Sequence, residues 1–292
     1  MSEKKGYSEK VVGKAATEAS VVEKSGKKVA TKGHEKAKKA LVEQNPKAWA
    51  KGWKLALWGL LMGVWVFAVL IAVQFILSFA IHLAIKWGWM DSGLVERPAF
   101  LMGYEAFVYA LSLAVAILLP RKVLKYKISR NELGLYGLPT WIDLLLGPVG
   151  LFVAMIGAGI LIFIAQKILP GIDWEQEQDV GFNMLLTVGD YLFAFFALVV
   201  AAPFCEEVLF RGWLYGKLRG RMSALPAILI TSVAFGVAHM QWNVGVTVFV
   251  MSIVMCLLRE LTGTIYAGLV VHILKNALAF YMLYVANPFP SY

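Results

Sequence analysis

The chain contains a series of apolar runs that are long enough to cross a lipid bilayer, and this feature restricts its fold more than any other. A membrane-spanning helix needs about 20 predominantly apolar residues. Of the 292 residues, 59% are hydrophobic and only 16% are charged. The runs cover residues 55–85, 100–119, 144–168, 185–219, 226–241, 244–258 and 264–285. The sequence therefore predicts an all-α polytopic membrane protein with about seven helices, or eight if the long first run holds two segments.

The beginning of the chain differs sharply in composition from the rest. Residues 1–54 hold 14 lysines and six glutamates, and so carry most of the formal net charge of +9. A lysine-rich segment without apolar periodicity is typical of disorder. Beside a first span it favours contact with anionic lipid, and nucleic acid is not expected as a partner. We divide the chain into a tail (1–50), N-terminal membrane helices with their loops (51–180) and a C-terminal helical core (185–285).

The loops between the apolar runs alternate in charge. Basic loops at 121–130 and 217–221 alternate with acidic ones at 91–96 and 173–179. Because basic loops tend to remain in the cytoplasm, we expect a multi-pass protein of the cell membrane with a cytoplasmic N-terminus. Seven spans would then place the C-terminus outside.

Ionisable and amide side chains interrupt three of the C-terminal runs. Glu206 follows the stretch YLFAFFALVVAAPFC, His239 stands in the next run, and His272 and Asn276 stand in the last one. Counted at 1.5 Å per residue from the cytoplasmic turns, they reach depths of roughly 14–20 Å. Polar residues at such depths usually face the interior of a bundle and pair with one another. We therefore expect a site inside the helical bundle.

The spacing within each run predicts which side chains share a helix face. Glu207 and Arg211 are four residues apart and can form an ion pair. Glu206 points about 100° away from Glu207 on the helix. It is therefore not expected to pair with Arg211 and can take part in a reaction. Phe235 and His239 have the same spacing of four, which allows the Phe235 ring to form a wall of the site.

These residue types fit the hydrolysis of an amide bond. A carboxylate and an imidazole, here Glu206 and His239, can activate a water molecule by general-base catalysis. His272 and Asn276 are again four residues apart, and they can donate two hydrogen bonds to a developing oxyanion.

Three ordered motifs in this region resemble those of a known family. The patterns EExxxR at 206–211, FxxxH at 235–239 and HxxxN at 272–276 are similar to the motifs of the CPBP family, the CAAX proteases and bacteriocin-processing enzymes also called Abi. Its members include the type II CAAX prenyl endopeptidases. The resemblance covers roughly residues 185–285 and implies an intramembrane endopeptidase that acts on a membrane-associated protein or peptide.

The resemblance also implies a role for each motif. By this analogy Glu206 and His239 hold the attacking water, and His272 and Asn276 form the oxyanion site. By the same analogy, Glu207 and Arg211 of the first motif would support that site.

The residues leave the need for a metal open. Glu206, His239 and His272 could supply the carboxylate and two imidazoles of a catalytic zinc site with an open position for water. A site without a cofactor is favoured for two reasons. Asn276 shares the face of His272, which suits two hydrogen-bond donors, and the nearby Lys275 would repel a divalent cation.

Two functions other than proteolysis fit the same composition. One is a non-catalytic membrane protein, an immunity or scaffold factor that binds a peptide in the same cavity. The other is a transporter with a proton relay of Glu and His residues. A protease is favoured because His272 and Asn276 suit oxyanion donation, which a relay does not need. The sequence holds neither the HExxH motif of zinc proteases nor the GxSxG motif of serine hydrolases.

Overall fold

The computed structural model describes residues 53–124, 128–174, 176, 185 and 187–286, and within them the chain forms helices, turns and loops without any strand. A single helical turn, Ser92–Val95, precedes the second long helix. The long helices are α1 (Trp53–Lys86), α2 (Pro98–Leu124), α3 (Trp141–Ile168), α4 (Val188–Arg219), α5 (Ala224–Ala238), α6 (Trp242–Thr262) and α7 (Tyr266–Ala286). The predicted all-α polytopic membrane fold is confirmed.

Within the described ranges, six of these helices are long and apolar enough to cross a membrane, and α5 is a shorter apolar helix. The first apolar run forms the single helix α1 of 34 residues, so its division into two segments is not found. The fifth run was predicted to extend to residue 241, but α5 ends at Ala238 and His239 follows as its C-cap. At 15 residues, α5 is about 22 Å long. The predictions for the tail (1–50), including its contact with anionic lipid, lie outside the described residues.

Helix α4 contains two wide, π-helical segments. Phe196–Ala201 and Glu207–Leu214 have this geometry, and they flank the ordinary α-helical turn Ala202–Glu206. Pro203 lies in this turn, and a proline has no N–H to bond to the preceding turn of the helix. Wide segments of this kind are rare and occur frequently at functional sites. Here they set the directions in which residues 206–211 project.

Helices α1 and α3 expose large apolar side chains, while the second half of α4 is buried. Phe75 of α1 and Phe163 of α3 are exposed, whereas Trp213 and Tyr215 of α4 are completely buried. An apolar outer surface is what contact with lipid tails requires. The second half of α4 is therefore enclosed by other helices, whereas its first half exposes apolar side chains such as Phe193 and Phe196.

The α2–α3 connection, whose described part covers residues 128–140, packs against α4 and α6. Arg259 of α6 is only 1% exposed, and its Nη2 donates a hydrogen bond of 2.6 Å to the carbonyl oxygen of Glu132. Lys217 of α4 forms an ion pair with the carboxylate of Glu132. Gly216 permits this approach, because a Cβ at this position would lie 2.6 Å from the carbonyl oxygen of Glu132. The connection is thus anchored to α6 and to α4, the helix that carries Glu206.

Candidate active site

A cavity of about 370 Å³ is lined by residues of α1, α2, α4, α5 and α7. Its wall includes Glu206 of α4, Phe235 of α5 and His239 at the end of α5. His272 and Asn276 of α7 complete this set. The structure therefore brings together the four residues predicted to be catalytic, from three separate apolar runs.

The two carboxylate oxygens of Glu206 have different surroundings. Oε1 accepts a hydrogen bond of 2.9 Å from the hydroxyl of Tyr109 on α2. Oε2 has no hydrogen-bond partner among the described residues and lies 3.7 Å from Nε2 of His272. A separation of 3.7 Å is too long for a direct hydrogen bond. Oε2 is therefore the oxygen of Glu206 that is left to bond a reactant.

Glu207 forms the centre of a buried polar cluster beside the cavity. Its Oε1 accepts a hydrogen bond of 2.8 Å from Nη1 of Arg211, which is the predicted ion pair, and both side chains are completely buried. The same oxygen lies 3.0 Å from Nδ1 of His272. Because an ionised carboxylate only accepts hydrogen bonds, the contact places a hydrogen on Nδ1 of His272. The Nε2 atom of this ring then faces Glu206.

Phe235 packs between the imidazole rings and the buried cluster. Its ring lies edge-on to the rings of His239 and His272, at centroid distances of 4.9 and 5.7 Å. The guanidinium carbon of Arg211 lies 4.0 Å from the centroid of the same ring, a distance typical of a cation–π contact. Phe235 lines the site as predicted and also packs on the buried cation.

Hydrogen bonds to backbone carbonyls orient the remaining two predicted residues. Nδ1 of His239 lies 2.9 Å from the carbonyl oxygen of Phe235, so Nδ1 carries the hydrogen and Nε2 is the nitrogen that can accept a proton. Nδ2 of Asn276 donates a hydrogen bond of 2.8 Å to the carbonyl oxygen of Leu198 on α4. An amide nitrogen carries two hydrogens, so the second N–H of Asn276 can serve another acceptor.

Sequence reasoning predicted no site residue in α1 or α2, yet both helices contribute polar groups to the cavity. Gln74 of α1, and Glu105 and Tyr109 of α2, line it together with Lys275 of α7. A signal for Glu105 was present, since an ionisable residue inside a membrane span is a functional candidate by default. For Tyr109 no comparable signal exists, because an uncharged aromatic side chain within an apolar run does not by itself indicate a site.

The geometry can also be compared with the requirements of a metal site. Glu206, His239 and His272 line one cavity. Among the described residues, however, no three His, Cys, Asp or Glu side chains are grouped so that they could hold a metal ion. Lys275 also lines this cavity, and a positive charge on its side chain would oppose a divalent cation by like-charge repulsion.

Comparisons with known proteins bear on the C-terminal part of the chain. Residues 188–278 match a family model described as Rce1-like, type II CAAX prenyl endopeptidase. Comparisons with curated proteins and with solved structures give no match. The matched segment holds all three motifs, at 206–211, 235–239 and 272–276, and the similarity supports a peptidase within a multi-pass membrane protein. Over this segment the match confirms the resemblance to the CPBP family, and specifically to its type II CAAX prenyl endopeptidases.

Proposed function

We propose that the protein is an intramembrane endopeptidase that hydrolyses a peptide bond of a membrane-associated protein or peptide. The observation that carries this proposal is the position of Glu206, whose Oε2 faces an imidazole nitrogen across a gap of 3.7 Å in a cavity between membrane helices. The match of residues 188–278 to a family of prenyl endopeptidases supports the same chemistry.

In the proposed reaction, Glu206 and His239 hold the attacking water. Oε2 of Glu206 takes a proton from the water as the water oxygen bonds to the carbonyl carbon of the substrate. The electron pair of the carbonyl double bond moves to its oxygen, which becomes an oxyanion. When the carbon–nitrogen bond breaks, the proton on Glu206 passes to the departing amine.

His272 and Asn276 stabilise the oxyanion in this proposal. The carboxylate of Glu207 accepts a hydrogen bond from Nδ1 of His272 at 3.0 Å and so orients the ring. In the proposed reaction the ring acts as an imidazolium, in which Nε2 also carries a hydrogen. Nε2 of His272 and the second N–H of Asn276 then donate to the oxyanion. Donors held in place before the reaction contribute most in a site that excludes water.

The lining of the cavity indicates the kind of substrate. Apolar side chains such as Leu70, Leu113, Leu209 and Phe280 surround the polar groups. Such a wall suits apolar peptide side chains or a covalently attached lipid chain, because either buries apolar surface on binding. We therefore include both prenylated and unprenylated peptides as substrates to be tested.

The decisive experiment is peptide cleavage by the purified protein reconstituted in lipid vesicles. A library of C-terminal peptides, each made with and without a prenyl group, is incubated with the protein, and the products are identified by mass spectrometry. We expect cleavage at one peptide bond that depends on Glu206. Saturable binding without any product would overturn the proposal and favour the immunity or scaffold function.

The same assay tests the proposal that no metal takes part. We expect the purified protein to contain no stoichiometric metal by elemental analysis, and cleavage to persist after treatment with a strong chelator. The physical reason is that Lys275 lines the cavity, where a positive charge on its side chain would disfavour a nearby divalent cation. Activity that is lost on chelation and restored by zinc would overturn this proposal.

We also propose that the N-terminus lies in the cytoplasm and the C-terminus outside the cell membrane. This arrangement follows from the basic loops at 121–130 and 217–221 if the six long helices and the shorter α5 all cross. In intact cells, a protease-sensitive tag before Met1 should be protected, and one after Tyr292 should be cleaved. Protection of both tags would show that one helix does not cross, and α5 is then the first candidate because of its length.

A further inference from the structure

One contact of the site comes from outside the segment that matches the peptidase family. Tyr109 of α2 donates its hydroxyl hydrogen to Oε1 of Glu206 over 2.9 Å. The two residues are 97 positions apart in the chain, and Tyr109 precedes the matched residues 188–278. This hydrogen bond is therefore a contribution of the N-terminal helices to the carboxylate that the proposed function requires.

We propose that Tyr109 is a positioning residue that holds the Glu206 carboxylate in its reactive orientation. The inference rests on the proposed function, in which Glu206 accepts a proton from water. Tyr109 lines the cavity, but its hydroxyl bonds Oε1 of Glu206, and we infer that it acts on the reaction through this carboxylate.

A carboxylate on a long side chain needs such a support to face one direction. The Glu206 side chain is 15% exposed, and neither of its oxygens has an ion-pair partner other than His272 within 4.0 Å among the described residues. A hydrogen bond to a charged acceptor is stronger than a neutral one. By bonding Oε1, the Tyr109 hydroxyl leaves Oε2 as the oxygen that takes the proton from the water held by Glu206 and His239 in the proposed reaction.

The position of Tyr109 on α2 suits this role. The neighbouring side chain Val108 is buried, with an exposed fraction of 6%, and belongs to the main apolar core. Packing of this kind limits the rotation of α2 about its axis. Tyr109 therefore lies on a packed helix. Groups that support catalytic residues are held more precisely on helices than on loops.

A second tyrosine on the same helix offers a matched comparison. The hydroxyl of Tyr104 shares a hydrogen bond of 2.7 Å with Oγ of Ser78 on α1, and it does not line the cavity of Glu206. Tyr104 and Tyr109 therefore lose the same atom when each is changed to phenylalanine. Only the change at Tyr109 removes a contact with the proposed base.

The test compares Tyr109→Phe and Tyr104→Phe in the full chain, reconstituted in the same vesicles and assayed with one peptide that the wild-type protein cleaves. We expect Tyr109→Phe to lower kcat by about 10- to 100-fold, the range seen when a hydrogen-bond partner of a metal-ligating side chain is removed. The KM should change by less than about twofold, because Tyr109 supports the reacting carboxylate and not substrate binding. Tyr104→Phe should retain the wild-type kcat.

A double variant shows whether Tyr109 acts through Glu206. Glu206→Asp shortens the side chain and withdraws the carboxylate from the Tyr109 hydroxyl, so adding Tyr109→Phe should cause no further loss of kcat. If the loss of kcat in the double variant equals the product of the two single losses, the inference is overturned. A wild-type kcat for Tyr109→Phe would overturn it as well. A much lower unfolding temperature for Tyr109→Phe than for Tyr104→Phe would assign the hydroxyl a structural role and also overturn it. A wild-type protein that cleaves no peptide would instead refute the proposed function.

Discussion

Glu206→Gln is expected to lower kcat for peptide cleavage by about 10²- to 10⁴-fold, the range that general-base catalysis contributes. Glutamine has nearly the same shape, and its amide oxygen can still accept the hydrogen bond from Tyr109. It cannot take a proton from water at neutral pH, so the attacking nucleophile is no longer generated. The variant should therefore fold normally, and steady-state kinetics in vesicles should show the loss in kcat.

Glu105→Gln is the matched control for this prediction. Glu105 lines the same cavity as Glu206, so both substitutions remove one carboxylate charge from the same wall. We expect a much smaller loss of kcat at Glu105, because no hydrogen bond joins it to the proposed catalytic groups in the described structure. Equal losses of kcat in the two variants would contradict the prediction. They would indicate that cleavage depends on the total charge of the cavity and that Glu206 is not a specific base.

Glu207→Gln is expected to destabilise the protein by about 3–5 kcal/mol, the cost of breaking a buried ion pair by removing one partner. The side chains of Glu207 and Arg211 are completely buried and 2.8 Å apart. Without the carboxylate, the guanidinium of Arg211 remains in the core without a counter-charge, and Nδ1 of His272 loses its charged acceptor. Denaturant titration in mixed micelles measures the change in the free energy of unfolding.

Two further variants show whether the unpaired charge of Arg211 causes the loss of stability in Glu207→Gln. Adding Arg211→Met to Glu207→Gln removes both charges, and this combination should recover much of the lost stability. Glu260→Gln breaks the ion pair between Glu260 and Arg219. The side chain of Arg219 is 12% exposed and that of Glu260 is 23% exposed. We expect a smaller loss of stability than for Glu207→Gln, because water can solvate the charge that remains on Arg219. A loss at Glu260 as large as that at Glu207 would contradict the prediction.

The helices could be predicted from the sequence because the length of an apolar run is a local property. The run 144–168 became Trp141–Ile168, and the run 100–119 became Pro98–Leu124. The Glu207–Arg211 pair could also be predicted, since a spacing of four places two side chains on one helix face. Each of these inferences uses only neighbours along one helix.

Contacts between helices could not be predicted in the same way. The hydrogen bond between Tyr109 and Glu206 depends on how α2 is rotated against α4, and the spacing within either helix does not determine that rotation. The two π-helical segments of α4 add to the difficulty, because they displace the faces expected for a regular 3.6-residue turn. The contact between Glu207 and His272, 65 residues apart, depends on the packing of α4 against α7 for the same reason.

The anchoring of the α2–α3 connection has a consequence for attempts to transplant or isolate the matched helices. A fragment that begins at residue 185 would lack the carbonyl oxygen of Glu132, the acceptor for the nearly inaccessible guanidinium of Arg259. It would also lack the Tyr109 hydroxyl that bonds Glu206. A desolvated cation without its acceptor costs free energy, so we expect the fragment to be poorly folded. A chimaera that borrows these helices should therefore take α2 and the following connection with them, although the family match does not extend that far.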